Sequence, residues 1–93
     1  MAIYTIPLDA VPNQFLSTGV NGETWSIKLE TRLGQLYISL SNRTDGDVLN
    51  NRLCLDRTPV GHGFMFVDID GATNPVYEGL SGRYVLMWSD ELV

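Results

Sequence analysis

The chain has one cysteine, one histidine and only six lysines and arginines. Each scarcity excludes something. A single cysteine cannot close an intrachain disulfide or build a cysteine zinc site. Cys54 stands in the alternation Leu53-Cys54-Leu55, which reads as a half-buried structural thiol. A reactive thiol needs an accessible, electropositive setting, and only Arg52 and Arg57 stand near it in sequence. Six cations against eleven carboxylates leave a formal net charge of −5. Phosphate neutralisation needs clustered cations, so nucleic acid is excluded as the main partner. An anionic membrane surface is excluded for the same reason. No apolar run approaches the roughly 18 residues of a membrane-spanning helix. The opening MAIYTIPLDAVP has neither the basic start nor the apolar core of a secretion signal. The expectation is a protein made in a cytoplasm and not secreted, either soluble or carried onward inside a larger assembly. Helical periodicity is also missing, and at most one helical turn fits between Asn74 and Leu80.

What the chain does have is a period of two. The apolar share is 44%, enough for a folded domain, and 93 residues favour a single domain over 1–93. Trp25, Ile27 and Leu29 alternate with Ser26, Lys28 and Glu30, the pattern of a strand with one wet face. Asn21-Gly22 before it is the strongest short hairpin signal, because a type I′ turn needs positive φ at both central residues. With those two residues as the loop, Val20 pairs with Glu23, Thr18 faces Trp25 and Leu16 faces Ile27. Phe15 then falls on the opposite face, against Lys28. A second hairpin is read with Asp45-Gly46 as its loop. In that register Ile38 faces Leu53, Leu36 faces Leu55, and Tyr37 opposes Cys54. GFMFVDID and RYVLMW are apolar on both faces, as central or covered strands are. IYTIPL ends at Pro7, which suits an edge. The spacing predicts an all-β fold, a small antiparallel sandwich or barrel of six to seven short strands.

A search for chemistry finds little. His62 lies in the glycine-flanked connection Pro59-Val60-Gly61-His62-Gly63, with Asp56 and Asp68 to either side. A small hydrolase built on it is a distant reading, because no serine has a nucleophile-elbow context. Asp68-Ile69-Asp70-Gly71 starts like a calcium loop, but the sixth and twelfth places hold Thr73 and Gly79. No phosphate-binding loop precedes a helix. The chain is therefore expected to hold no catalytic residue, cofactor or metal.

The surplus of apolar residues says more. Phe64, Phe66 and Trp88 sit on the doubly apolar strands, and Phe15 and Tyr37 lie outside the cleaner inward rows. Such residues mark either a covering loop or a protein–protein contact. An alternative from another class is a stand-alone ligand-binding barrel lined by Trp25, Phe64, Phe66 and Trp88, although about eight strands are needed to hold one small ligand. Tyr77 and Arg83 flank Gly79-Leu80 and are of the types enriched at interface hot spots. Set against that are packing of Tyr77 over the sandwich end and an ion pair of Arg83 with Glu78 or Asp68.

Two groups of residues together carry a resemblance. The first is Ile6-Pro7-Leu8 followed by Pro12-Asn13-Gln14-Phe15. The second is Asp70-Gly71, Asn74-Pro75, Tyr77, Gly79-Leu80, Arg83 and Leu86. Their order and spacing, with the Arg52–Leu55 segment, resemble the plug-domain proteins of tailed-phage baseplates across essentially the whole chain. Asn74 stands where that pattern has Asp, and Ser81-Gly82 displaces an expected glycine. The resemblance implies a virion structural protein near the tail tip. Its partners would be baseplate hub, tail tube and spike subunits, with several copies around the tail axis. Phe15, Tyr37, Phe64, Phe66, Tyr77, Arg83 and Trp88 are the expected interface residues.

Overall fold

The structure, a computed structural model, describes residues 3–80 and 82–92. Those residues form eight strands: β1 Ile3–Ile6, β2 Gln14–Val20, β3 Glu23–Arg32, β4 Gln35–Asn42, β5 Gly46–Leu53, β6 Pro59–Gly61, β7 Phe64–Asp68 and β8 Tyr84–Ser89. A single 3₁₀ turn, Tyr77–Gly79, interrupts the connection from β7 to β8. The strands make two antiparallel four-stranded sheets, ordered β2-β3-β4-β5 and β1-β8-β7-β6. They pack face to face as a sandwich, the first of the two architectures expected from the sequence. The count exceeds six or seven because the connection before β7 supplies a three-residue strand, β6.

Glycine places the tight turns. Asn21-Gly22 (φ 51° and 84°), Leu33-Gly34 (51° and 77°) and His62-Gly63 (55° and 94°) all hold positive φ at both central residues. That is the type I′ signature, whose twist matches the flanking strands. The β2–β3 register is the expected one, with Val20 opposite Glu23, Thr18 opposite Trp25, Leu16 opposite Ile27 and Phe15 opposite Lys28. β1 is an edge strand, paired only with β8.

The second hairpin departs from its expected register. Its loop is Arg43-Thr44-Asp45, since Asn42 pairs with Gly46. Gly46 takes φ 72°, and the Asn42 carboxamide oxygen accepts the Asp45 N–H at 2.7 Å. The left-handed glycine is thus the first residue after a three-residue loop and pairs with Asn42. Two further irregularities lie between Ile38 and Ser41, and Asn51 (φ 51°) donates its N–H to the Ser39 hydroxyl at 2.9 Å. These irregularities take back part of the slip made by the longer loop, and the net shift of one puts Leu53 opposite Tyr37 and Arg52 opposite Ile38. The Cys54 N–H donates to the Leu36 carbonyl at 2.9 Å. Cys54 thus joins the inward row and is fully buried, not half-buried opposite Tyr37. Burial disfavours its thiolate and pushes the thiol up to about 12.

The core lies between the inner faces. Val20, Trp25, Ile27, Leu29, Leu36, Ile38 and Leu40 come from one sheet; Ile6, Phe64, Phe66, Tyr84, Leu86 and Trp88 come from the other. Trp25 meets Phe64 edge to face across the gap, with ring centroids 5.3 Å apart. Each fully buried large side chain contributes about 1.5–3 kcal/mol of transfer free energy. The Trp88 indole N–H reaches the His62 carbonyl at 3.0 Å, which satisfies its one polar atom.

Candidate interaction surface

Parity decides which side chains of the second sheet reach the core and which reach the surface. Phe64 pairs with Trp88, Phe66 with Leu86 and Asp68 with Tyr84, and all six side chains are buried inside the sandwich. The alternate residues point outward. Met65 pairs with Met87 and Val67 with Val85. Thr5 lies beyond Met87 on β1, and Pro59 lies beyond Met65 on β6. Ile3, 56% exposed, continues the row on the edge strand. The outer face of this sheet is therefore apolar along both central strands. Met65, Val67, Val85 and Met87 are half-buried.

The outer face of the other sheet is polar. It shows Ser17, Ser26, Lys28, Ser39 and Ser41, in register across β2, β3 and β4. Phe15 is the exception, 69% exposed beside Lys28. Tyr37 is half-buried on the same face, with the Arg32 guanidinium 5.8 Å from its ring centroid. Lys28 and Arg32 both pair with Glu30, and the Lys28 hydrogen bond leads in holding that carboxyl below its ordinary pKa.

At one end of the sandwich the β7–β8 connection is braced by Asp68. This carboxylate ends the inner row of β7 and has no exposed surface. Arg83 grips it with two parallel hydrogen bonds, Nε to Oδ1 at 2.9 Å and Nη2 to Oδ2 at 3.0 Å. The same carboxylate accepts the Asp70 N–H and both the N–H and hydroxyl of Thr73. Thr73 in turn meets the Tyr84 hydroxyl at 2.9 Å. The Arg83 bond, reinforced by these donors, outweighs burial and holds the Asp68 carboxyl well below the usual carboxylate range. Arg83 is raised in return, first by its bond to Asp68.

A second set of bonds ties the loop to the segment after β5. Arg57 donates to the Gly71 and Asp68 carbonyls, both at 3.1 Å. Asp56 accepts the Asp68 N–H at 2.7 Å, and its own N–H reaches the Asn74 carboxamide oxygen at 3.0 Å. The bond needs an acceptor oxygen at position 74, which Asn and Asp both carry. Substitution of one by the other therefore keeps the loop closed.

These placements redraw the sequence-level candidates. Phe64, Phe66 and Trp88 belong to this chain's own core and have little or no surface to offer a partner. Phe64 and Phe66 are likewise lost to the lining of a ligand barrel, whereas Trp25 and Trp88 edge an open cleft beside His62. Arg83 is an ion-paired brace, the structural alternative weighed for it, though its side chain stays 40% exposed. Tyr77 is half-buried and packs against the core, leaving part of its ring at the surface. His62 sits on the turn before Phe64, whereas Asp68 ends the same strand and is engaged by Arg83, so no histidine–aspartate pair forms between them. Among the described residues no group of three or more His, Cys, Asp or Glu could hold a metal. The calcium-loop start is a carboxylate braced by arginine.

Two surface features escaped the sequence reading. The outward row of Met65, Val67, Val85 and Met87 is not told apart from the inward aromatics by pattern, because these strands are apolar on both faces. The signal was nonetheless present: Gly63, Met65 and Val67 share the alternate parity. Leu33 also escaped. It occupies the first central position of a type I′ turn and is fully exposed, where Asn or Asp is the residue the turn prefers.

No curated protein matches the chain. A family described as "Cyanophage baseplate Pam3 plug gp18" matches residues 3–91, all but four positions of the 93. With both sheets and the braced connection inside that span, the chain belongs to this family of phage baseplate plugs.

Proposed function

We propose that the chain is a structural protein of the virion, seated at the baseplate hub near the tail axis. There it packs in several copies against hub, tail tube and spike subunits. The observation that carries this reading is the apolar outer face of the β1-β8-β7-β6 sheet. A sandwich of this size has one core, and that core is already filled by the inner rows. A second continuous apolar surface has no task in an isolated domain and marks a contact with another protein. Its Met65–Met87 pair suits such a contact, since methionine adapts to irregular surfaces. The braced connection at one end of the sandwich holds Tyr77 against the core and Arg83 on Asp68, and leaves part of the Arg83 side chain exposed. The role is non-enzymatic, in keeping with the family and with a braced, filled structure.

Co-expression of the chain with the hub, tube and spike proteins of its own phage tests the reading. Wild-type protein is expected to copurify with at least one of them through size exclusion. Met65→Glu with Met87→Glu is expected to abolish that association while circular dichroism remains that of the wild type. A wild-type chain that elutes alone beside all three subunits would overturn the proposal.

A further inference from the structure

A sandwich of two four-stranded sheets has four edge strands, and this one protects three of them. β1 is four residues long and runs into Pro7. β6 is three residues long and begins with Pro59. β5 carries Asp47 and Arg52, and its pairing is irregular in two places. Short length, proline, charge and bulges are the devices that stop edges from pairing. β2, by contrast, is seven residues of regular register with no charge and no proline, reading QFLSTGV. Among the described residues no strand pairs with its outer edge.

The geometry of that edge is specific. The type I′ turn closes with a hydrogen-bonded Val20–Glu23 pair, and antiparallel pairs alternate from there. Thr18, Leu16 and Gln14 therefore turn their backbone groups toward β3. Gly19, Ser17 and Phe15 turn theirs to the free edge. The side chains of these same three residues lie on the polar outer face. Phe15 is the large exposed aromatic there, and Gly19 is the open position: a Cβ built on Gly19 meets nothing within 4 Å.

We infer that β2 pairs with β2 of a second copy of this chain, antiparallel about a two-fold axis at Ser17. In that register Phe15 of each copy lies opposite Gly19 of the other, and Ser17 faces Ser17. The three free N–H and three free C=O groups of each edge find partners in one step. Each Phe15 ring covers the backbone that the opposite glycine leaves bare, the aromatic–glycine pairing that stabilises open edges. With no charge on β2, the self-pairing carries no like-charge penalty. The contact is isologous and joins the two β2-β3-β4-β5 sheets into one of eight strands. It leaves the apolar outer faces of both copies free, and it stands on the edge chemistry apart from any baseplate role.

Sedimentation equilibrium of the purified chain tests the pairing, with a dimer fraction that rises with concentration as the expected result. Phe15→Lys puts a charge at each end of the contact on an exposed site. Ser17→Pro removes an edge N–H while leaving the β3 ladder intact. Each is expected to weaken the dimer at least tenfold, with the wild-type circular dichroism kept by Phe15→Lys. Ser17→Cys is expected to cross-link two copies on mild oxidation, because Cα atoms about 5.5 Å apart in a hydrogen-bonded pair fall within disulfide reach. Thr24→Cys, exposed one strand further in, is expected to stay uncross-linked. A wild-type chain that is monomeric at every concentration, or a dimer that survives both substitutions without Ser17→Cys cross-linking, would overturn the inference. So would a dimer that dissociates only on Met87→Glu.

Discussion

Arg83 holds Asp68 across the base of the β7–β8 connection by two parallel hydrogen bonds of 2.9 and 3.0 Å. The carboxylate is wholly buried and the guanidinium is partly open to solvent, with its Cζ 5.4 Å from the Tyr84 ring centroid. The fork geometry matters here as much as the charge. Arg83→Lys keeps the cation but loses the planar pair of donors. Asp68→Asn keeps the shape but loses the charge that arginine was set to meet. Both are expected to lower Tm by about 10 °C or more, read by differential scanning calorimetry. An unchanged Tm in both variants would remove the brace from any account of stability.

The same carboxylate sets an acid limit. Its folded-state pKa is depressed, so the unfolded chain takes up the proton at higher pH than the folded one. The stabilisation is fully present above the unfolded aspartate value of about 3.9 and is lost as pH falls from there toward the folded value. Urea unfolding across pH 2 to 6 is expected to show stability falling steeply below about pH 4 in the wild type. Asp68→Asn is expected to flatten that fall. Equal slopes in the two proteins would show that another group governs it.

Gly79 owes its place to the ring beside it. A Cβ there would stand 2.7 Å from Cδ2 and Cε2 of Tyr84, a core residue that cannot swing away. Gly79→Ala is expected to cost about 1–3 kcal/mol. Tyr84→Leu in the same background, which clears the ring, is expected to recover part of it. A double-mutant cycle by chemical denaturation checks the coupling.

Leu33 is expected to behave in the opposite sense. A leucine at φ 51° is strained by its Cβ, and asparagine tolerates that conformation. Leu33→Asn is expected to raise stability by about 0.5–1 kcal/mol. If chemical denaturation shows no gain, the turn is not limited by its first residue.

Cys54 gives a probe of the core. Its thiol is buried and raised to about 12, so Ellman's reagent at pH 8 is expected to leave the folded chain unmodified. One equivalent should react once the protein is unfolded in guanidinium. Rapid reaction of the native protein would show that the segment after β5 opens readily.

Legibility in the sequence followed how local the causes were. The β2–β3 register could be read because Asn21-Gly22 is a two-residue loop whose requirements lie entirely within it. The β4–β5 register could not, because Asp45-Gly46 resembles such a loop while Gly46 in fact opens β5 after a longer one. The longer loop slips the pairing by three positions and the two irregularities between Ile38 and Ser41 take back two, which leaves Cys54 moved by one. The doubly apolar strands were recognised, yet their two faces were not told apart. Asp68 shares the parity of Phe64 and Phe66, and a carboxylate in that row argues for solvent unless Arg83, fifteen residues on, is known to meet it. The family pattern of Asp70, Asn74, Gly79 and Arg83 was visible as spacing. Its physical meaning, a buried carboxylate collecting five donor bonds, exists only once β7 and β8 are side by side.

The contrast between the two outer faces gives the molecule an orientation. One side offers serines and a lysine that lose little by staying wet, and the other offers methionines and valines that gain by being covered. Covering the second face and wetting the first work in the same direction, so the sandwich acquires a front and a back by solvation alone.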